Sequence, residues 1–88
     1  MMEIVCVDVS LLAPPEPMTC IIKALSKLQP AQCLKVIHRR EPFPLYEKLQ
    51  ALDWQVQTFK QASDVFHIYI YRRDLQSEFS AYLAEQAL

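Results

Sequence analysis

Apolar and polar positions along the chain follow two periods, and most segments declare one of them. Glu3 to Val9 is a β-branched run and reads as a first strand. From Pro17 to Leu28, Met18, Ile21, Ile22, Leu25 and Leu28 recur at helical spacing and build one apolar face, with Thr19, Lys23, Ser26 and Lys27 opposite. Gln29-Pro30-Ala31 ends that helix, and Gln32 to Ile37 reads as a second strand. A helix between two strands predicts a right-handed crossover with the strands parallel. His38 to Phe43 is a charged loop stopped by proline. Pro44 then opens a short second helix, with Leu45, Leu49 and Leu52 on one side. Trp54 to Lys60 is a third strand, Gln61 to Asp64 a turn, and Val65 to Arg72 a fourth strand, which predicts a hairpin. Phe66, Ile68 and Ile70 alternate with His67, Tyr69 and Tyr71, so the last strand has two different faces. Asp74 is placed to cap a third helix running to about Ala87, with Leu75, Phe79, Tyr82 and Leu83 as its apolar stripe.

The predicted fold class is therefore α+β, a two-layer sandwich in the order β-α-β-α-β-β with a C-terminal helix added. Residues 1–73 would form the domain proper and 74–88 its helical extension. Two helices cover one sheet face. The other face would show Gln55, Gln57, Phe59, His67, Tyr69 and Tyr71, which is too aromatic to stay bare. The C-terminal helix, a second copy of the chain or another protein would cover it, so a homodimer through that face or through the helix is one expectation.

The hinge between the first strand and first helix is Leu11-Leu12-Ala13-Pro14-Pro15-Glu16-Pro17. Each X-Pro bond pushes the preceding residue out of the helical region, so Ala13, Pro14 and Glu16 are expected to be extended and the helix to begin near Pro17. The whole chain of 88 residues has no glycine. Any turn that needs a positive φ must place Gln29, Gln32, Asp53, Ser63 or Asp64 there.

Composition narrows the function classes. Nine Lys and Arg stand against ten Asp and Glu, so no basic stripe for nucleic acid is expected. No apolar run approaches the roughly 18 residues of a membrane span. The first residues, Met-Met-Glu-Ile-Val-Cys-Val-Asp, carry an acid and no basic region, so no signal peptide is expected. Three cysteines without regular spacing read as reduced thiols, which points to the cytoplasm. His38, His67 and these cysteines lack any recognised zinc spacing, so no metal or other cofactor is expected, and a metal- or haem-responsive domain is the weakest reading.

Two patches carry a resemblance. One is Val7-Asp8-Val9 followed by Pro14-Pro15-Glu16-Pro17-Met18; the other is His38-Arg39-Arg40-Glu41-Pro42-Phe43-Pro44-Leu45-Tyr46, with Leu49 and Trp54 beyond it. Over residues 4–73 the chain resembles the bacterial domain of unknown function 2249, a relative of the TusA/SirA sulfur-carrier fold. The resemblance implies a four-stranded mixed sheet in the order 1-2-4-3 with both family helices on one face. The carriers hold a persulfide-forming cysteine in a Cys-Pro-x-Pro motif at the start of the first helix. Here Pro14-Pro15-Glu16-Pro17 stands in that place, with Pro14 where the cysteine would be, so the thiol chemistry does not carry over. Ala31-Gln32 and Asp53 replace the glycines usual after the first helix and before the third strand.

The expectation is a binding or accessory module rather than an enzyme. Its working edge would be Pro14, Pro15, Glu16 and Pro17 together with His38, Arg39, Arg40 and Glu41, facing a protein partner or a small anion near two helix N-termini. The rival reading is sulfur transfer or thiol redox through Cys20, which falls in the first turn of the helix near Lys23, where a thiol pKa is lowered. The plainer account of Cys20 is a half-exposed, inert thiol. Cys6 and Cys33 read as strand residues.

Overall fold

The computed structural model describes residues 2–86. The elements are β1 (Glu3–Asp8), α1 (Glu16–Ser26), β2 (Gln32–His38), α2 (Phe43–Ala51), β3 (Trp54–Ala62), β4 (Val65–Arg72), a single 3-10 turn (Arg73–Leu75) and α3 (Gln76–Gln86). The expected end of the last helix at Ala87 lies outside the described residues. No helix among those described is long and apolar enough to cross a membrane.

The sheet has the order β1-β2-β4-β3. β1 and β2 run parallel in register Val5↔Leu34 and Val7↔Val36, as a strand-helix-strand connection requires. β4 is antiparallel to both of its neighbours, with Val36↔Ile68 on one side and Thr58↔Ile68 on the other. A β-strand alternates its faces, so these registers sort the side chains into two sets.

On one face Leu34, Val36, Ile68 and Ile70 meet Ile21 and Leu25 of α1 and Leu45 and Leu49 of α2, all 5% exposed or less. Each such aliphatic side chain contributes about 1.5–3 kcal/mol on burial, so this is the principal core. On the other face Cys33, Tyr69 and Tyr71 meet Leu75 and Phe79, with Ile4, Tyr82 and Leu83 packed around them. The C-terminal helix is therefore the element that covers the aromatic face. Its cover is partial: Phe59 is 36% exposed, and His67 beside it in register is only half-buried.

Several local details depart from the expected pattern. Glu16 is the first residue of α1 rather than an extended one, because its amide already closes a turn onto the Ala13 carbonyl at 2.9 Å. Asp74 does not cap α3: it sits inside the 3-10 turn, whose N-cap is Arg72 with no side-chain cap bond. β3 runs on through a bulge to Ala62, which pairs with Val65 and leaves only Ser63 and Asp64 in the turn.

The chain solves its lack of glycine in two ways. After α1, the Lys27 and Leu28 amides tighten onto Ala24 and Leu25 carbonyls, and the Gln32 side chain accepts from the Gln29 amide at 2.9 Å, so no positive φ is needed. After α2, Asp53 takes the left-handed conformation with φ 67°, the one positive φ among the described residues.

Candidate functional site

The first turns of α1 and α2 lie side by side at the end of the sheet where β2 finishes. β2 reaches His38, one residue past the expected Ile37, because His38 still pairs with Phe66 of β4. The chain then leaves the sheet as an exposed Arg39-Arg40 pair and re-enters at α2. β1 ends one strand over, where Ser10 donates through both its amide and its hydroxyl to Asp8 Oδ1, at 2.9 and 2.6 Å. These bonds hold the Asp8 carboxyl below its ordinary range. The proline hinge follows, with a cis peptide bond between Pro14 and Pro15.

Between these two exits is a groove of about 380 Å³. Five prolines form much of its wall: Pro14, Pro15 and Pro17 from the α1 side, Pro42 and Pro44 from the α2 side. Met18, Ile21 and Leu45 make the floor, and the latter two belong to the principal core. The polar groups are His38, Arg40 and Glu41. Flanking the groove in the chain are Leu11 and Phe43, the two most exposed of the large apolar side chains at 93% and 65%.

Two of the polar members, His38 and Glu41, are held by hydrogen bonds. His38 is 9% exposed, and its Nδ1 accepts the Arg40 amide at 3.1 Å. The neutral ring therefore carries its proton on Nε2. Burial lowers the pKa of His38, and the charges of Arg39 and Arg40 lower it further. Glu41 accepts from the Tyr46 hydroxyl at 3.2 Å, and Tyr46 in turn accepts from Thr58 Oγ1 at 2.6 Å. This chain of bonds ties the loop to α2 and β3. Burial raises the Tyr46 pKa against the Thr58 bond, and the Glu41 charge raises it further, so the hydroxyl stays protonated and donating.

The two helix starts have little to offer an anion. In α2 the Phe43 amide bonds the Glu41 carbonyl, the Leu45 and Tyr46 amides both bond the Pro42 carbonyl, and Pro44 has no N–H. In α1 the Glu16 and Thr19 amides bond the Ala13 and Pro15 carbonyls, and Pro17 has no N–H, which leaves Met18 as the one first-turn amide not so used among the described residues. An anion-binding helix start needs several free amides aimed at one point. The arrangement instead presents ring carbons and aliphatic floor to whatever enters.

Of the residues singled out from the sequence, Pro14, Pro15, Pro17, His38, Arg40 and Glu41 converge on this groove. Glu16 and Arg39 are exposed beside it and do not line it, and Cys20 is half-buried against the principal core. Pro42, Pro44 and Leu45 were read as a loop stop, a helix start and part of the second family patch, not as groove lining, although a proline on both sides of one loop was the available signal. Among the described residues no group of three or more His, Cys, Asp or Glu side chains is placed to hold a metal ion. A second cleft of about 350 Å³, at the far end of α2, is crossed by an ion pair between Arg73 and Asp53. Both partners of that pair are largely exposed.

In comparison with known families, residues 6–72 match a family described as an uncharacterized conserved protein, DUF2249. Neither the curated proteins nor the solved structures give a match. The matched span runs from within β1 to the last residue of β4 and takes in both walls of the groove, leaving α3 beyond its end. The chain belongs to the DUF2249 family of uncharacterized conserved proteins.

Proposed function

We propose that this protein is a TusA-like binding module that recognises an apolar segment of a partner protein through the proline-walled groove between the first turns of α1 and α2. The observation that carries the reading is the groove itself, a cleft of about 380 Å³ with five prolines in its wall and Met18, Ile21 and Leu45 in its floor. Binding sites of this kind are concave and mostly apolar, with a few polar groups to orient what enters. His38, Arg40 and Glu41 are those groups, and two of them are pre-set by the bonds to the Arg40 amide and the Tyr46 hydroxyl. The exposure of Leu11 and Phe43 on the adjoining segments extends the apolar surface. The scarcity of free amides favours an apolar side chain over a small anion.

A random peptide display library panned against the full chain tests this. Selected peptides should shift the backbone amide signals of Met18, His38, Arg40 and Leu45 in a two-dimensional NMR spectrum. Met18→Ser should weaken their binding about three- to tenfold, since Met18 is already half-buried and covering the rest of it is worth about half of the roughly 1.5–3 kcal/mol of a full burial. Peptides that bind without moving those four signals, or that ignore Met18→Ser, would overturn the reading.

A further inference from the structure

The groove does not stop at Met18. That residue also lines a third cleft, of about 400 Å³, which continues between α1 and α2 and is bounded by Thr19, Ile22, Lys23 and Lys48. Lys23 comes from the last turn of α1 and Lys48 from the last turn of α2. Both lysines therefore line one cleft, Lys23 from the α1 side and Lys48 from the α2 side, together with Met18 and Ile22.

Neither lysine has a carboxylate within ion-pair distance among the described residues, where the single ion pair joins Arg73 to Asp53. At the other end of the same strip Arg40 lines the groove. Glu41 is the one carboxylate lining either cleft, and it already accepts from Tyr46. Glu16 and Glu47 are exposed on the same helices but line neither cleft. The strip is thus apolar along its middle, cationic at the Lys23–Lys48 end, and carries Arg40 beside Glu41 at the groove end, on a chain whose net charge is −1.

We infer that the partner segment is acidic as well as apolar, with an apolar side chain in the proline-walled groove and carboxylates facing Lys23 and Lys48. The inference rests on the groove reading above and adds the partner's chemistry. Its spacing follows from helix geometry. Lys23 is five residues beyond Met18, or about 7.5 Å along the axis at about 1.5 Å per residue. An extended segment covers that in about two to three residues at about 3.3 Å each. Two cations over an apolar floor suit a peptide better than a phosphate backbone, which asks for a longer basic track. Exposed charges at the rim of an interface steer and select more than they tighten, so the lysines act as a filter on which apolar segments enter.

The same panning experiment separates the outcomes, with wild type and a Lys23→Gln/Lys48→Gln double variant run in parallel. Peptides selected on the wild type should be enriched in Asp or Glu two to three residues from an apolar residue. Their affinity should fall about two- to tenfold in the double variant, the range expected for two exposed ion pairs. It should fall by a similar factor when salt is raised from about 0.05 M to about 0.5 M, and that salt effect should shrink in the double variant. Groove-binding peptides without acidic enrichment, and with unchanged affinity in the double variant, overturn this inference and leave the groove reading standing. Peptides that fail to shift the groove amides overturn both. Displacement of the peptides by a single-stranded oligouridylate at similar concentration overturns the inference by assigning the strip to nucleic acid.

Discussion

His38 is the residue at which the groove meets the core. Its side chain is buried, it pairs in β2, and its Nδ1 anchors the Arg40 amide. Burial, and then the charges of Arg39 and Arg40, hold its folded pKa below the ordinary 6.5. The unfolded chain therefore takes up this proton first as the pH falls. Stability is unaffected above about 6.5 and is lost from there down to the folded pKa. His38→Asn keeps an acceptor where Nδ1 lies but cannot titrate. Urea unfolding between pH 7.5 and 5 should show a shallower loss of stability for His38→Asn than for the wild type, and an identical slope would rule out His38 as the source. His67 is also shifted downward, by burial and then Lys35, but it is more exposed, so His67→Asn should change the slope less. Asp53 is the other residue whose identity is set by its backbone. Its φ of 67° is strained for a β-branched side chain. Asp53→Val should lower stability by about 1–2 kcal/mol in urea unfolding while Asp53→Gly does not, since the pair with Arg73 is surface-exposed and contributes little.

At the scale of the element, α3 shows what short helices depend on. Eleven residues are marginal as an isolated helix, so this one is held by what it covers. Phe79 is fully buried, stacked on Tyr71 at 4.4 Å between ring centroids and tilted against Tyr69 at 5.2 Å. The Tyr71 hydroxyl donates to Gln76 Oε1 at 2.9 Å and accepts from Gln57 at 3.3 Å, which joins α3 to β4 and β3. Phe79→Ala should cost about 3–5 kcal/mol. The same packing seals Cys33, whose thiol burial pushes up to about 12. At pH 7.5 a maleimide should label the exposed Cys6 and leave Cys33 unlabelled in the native protein, and Phe79→Ala should open Cys33 to labelling. Mass mapping of the labelled thiols checks this. Labelling of native Cys33 as fast as Cys6 would mean that α3 does not seal the face.

For the whole molecule, the parts of the sheet order that rest on local rules were legible. A helix between two apolar runs makes β1 and β2 parallel, and a tight turn makes β3 and β4 a hairpin. Alternation along β4 separated Ile68 and Ile70 from Tyr69 and Tyr71, and these do face different cores. Alternation says that a face is apolar without saying what lies on it, so the cover by α3 had to come from the structure. Both walls of the groove were legible as patches, because prolines and a charged loop punctuate the chain there. Their exact membership was not. Successive residues on a helix turn by about 100°, which is why Pro17 lines the groove while Glu16 beside it faces away. Arg40 lines the groove and Arg39 does not, and it is the Arg40 amide that bonds His38.

The proline walls have a further consequence for recognition. A partner lying in this groove finds almost no main-chain donors, and the Pro15 and Pro42 carbonyls are already taken by Thr19, Leu45 and Tyr46. It is read by the shape and charge of its side chains rather than by its amides. N-methylation along the backbone of a bound peptide should therefore leave its affinity nearly unchanged, whereas the same change would abolish binding to a surface that adds a strand to a sheet edge.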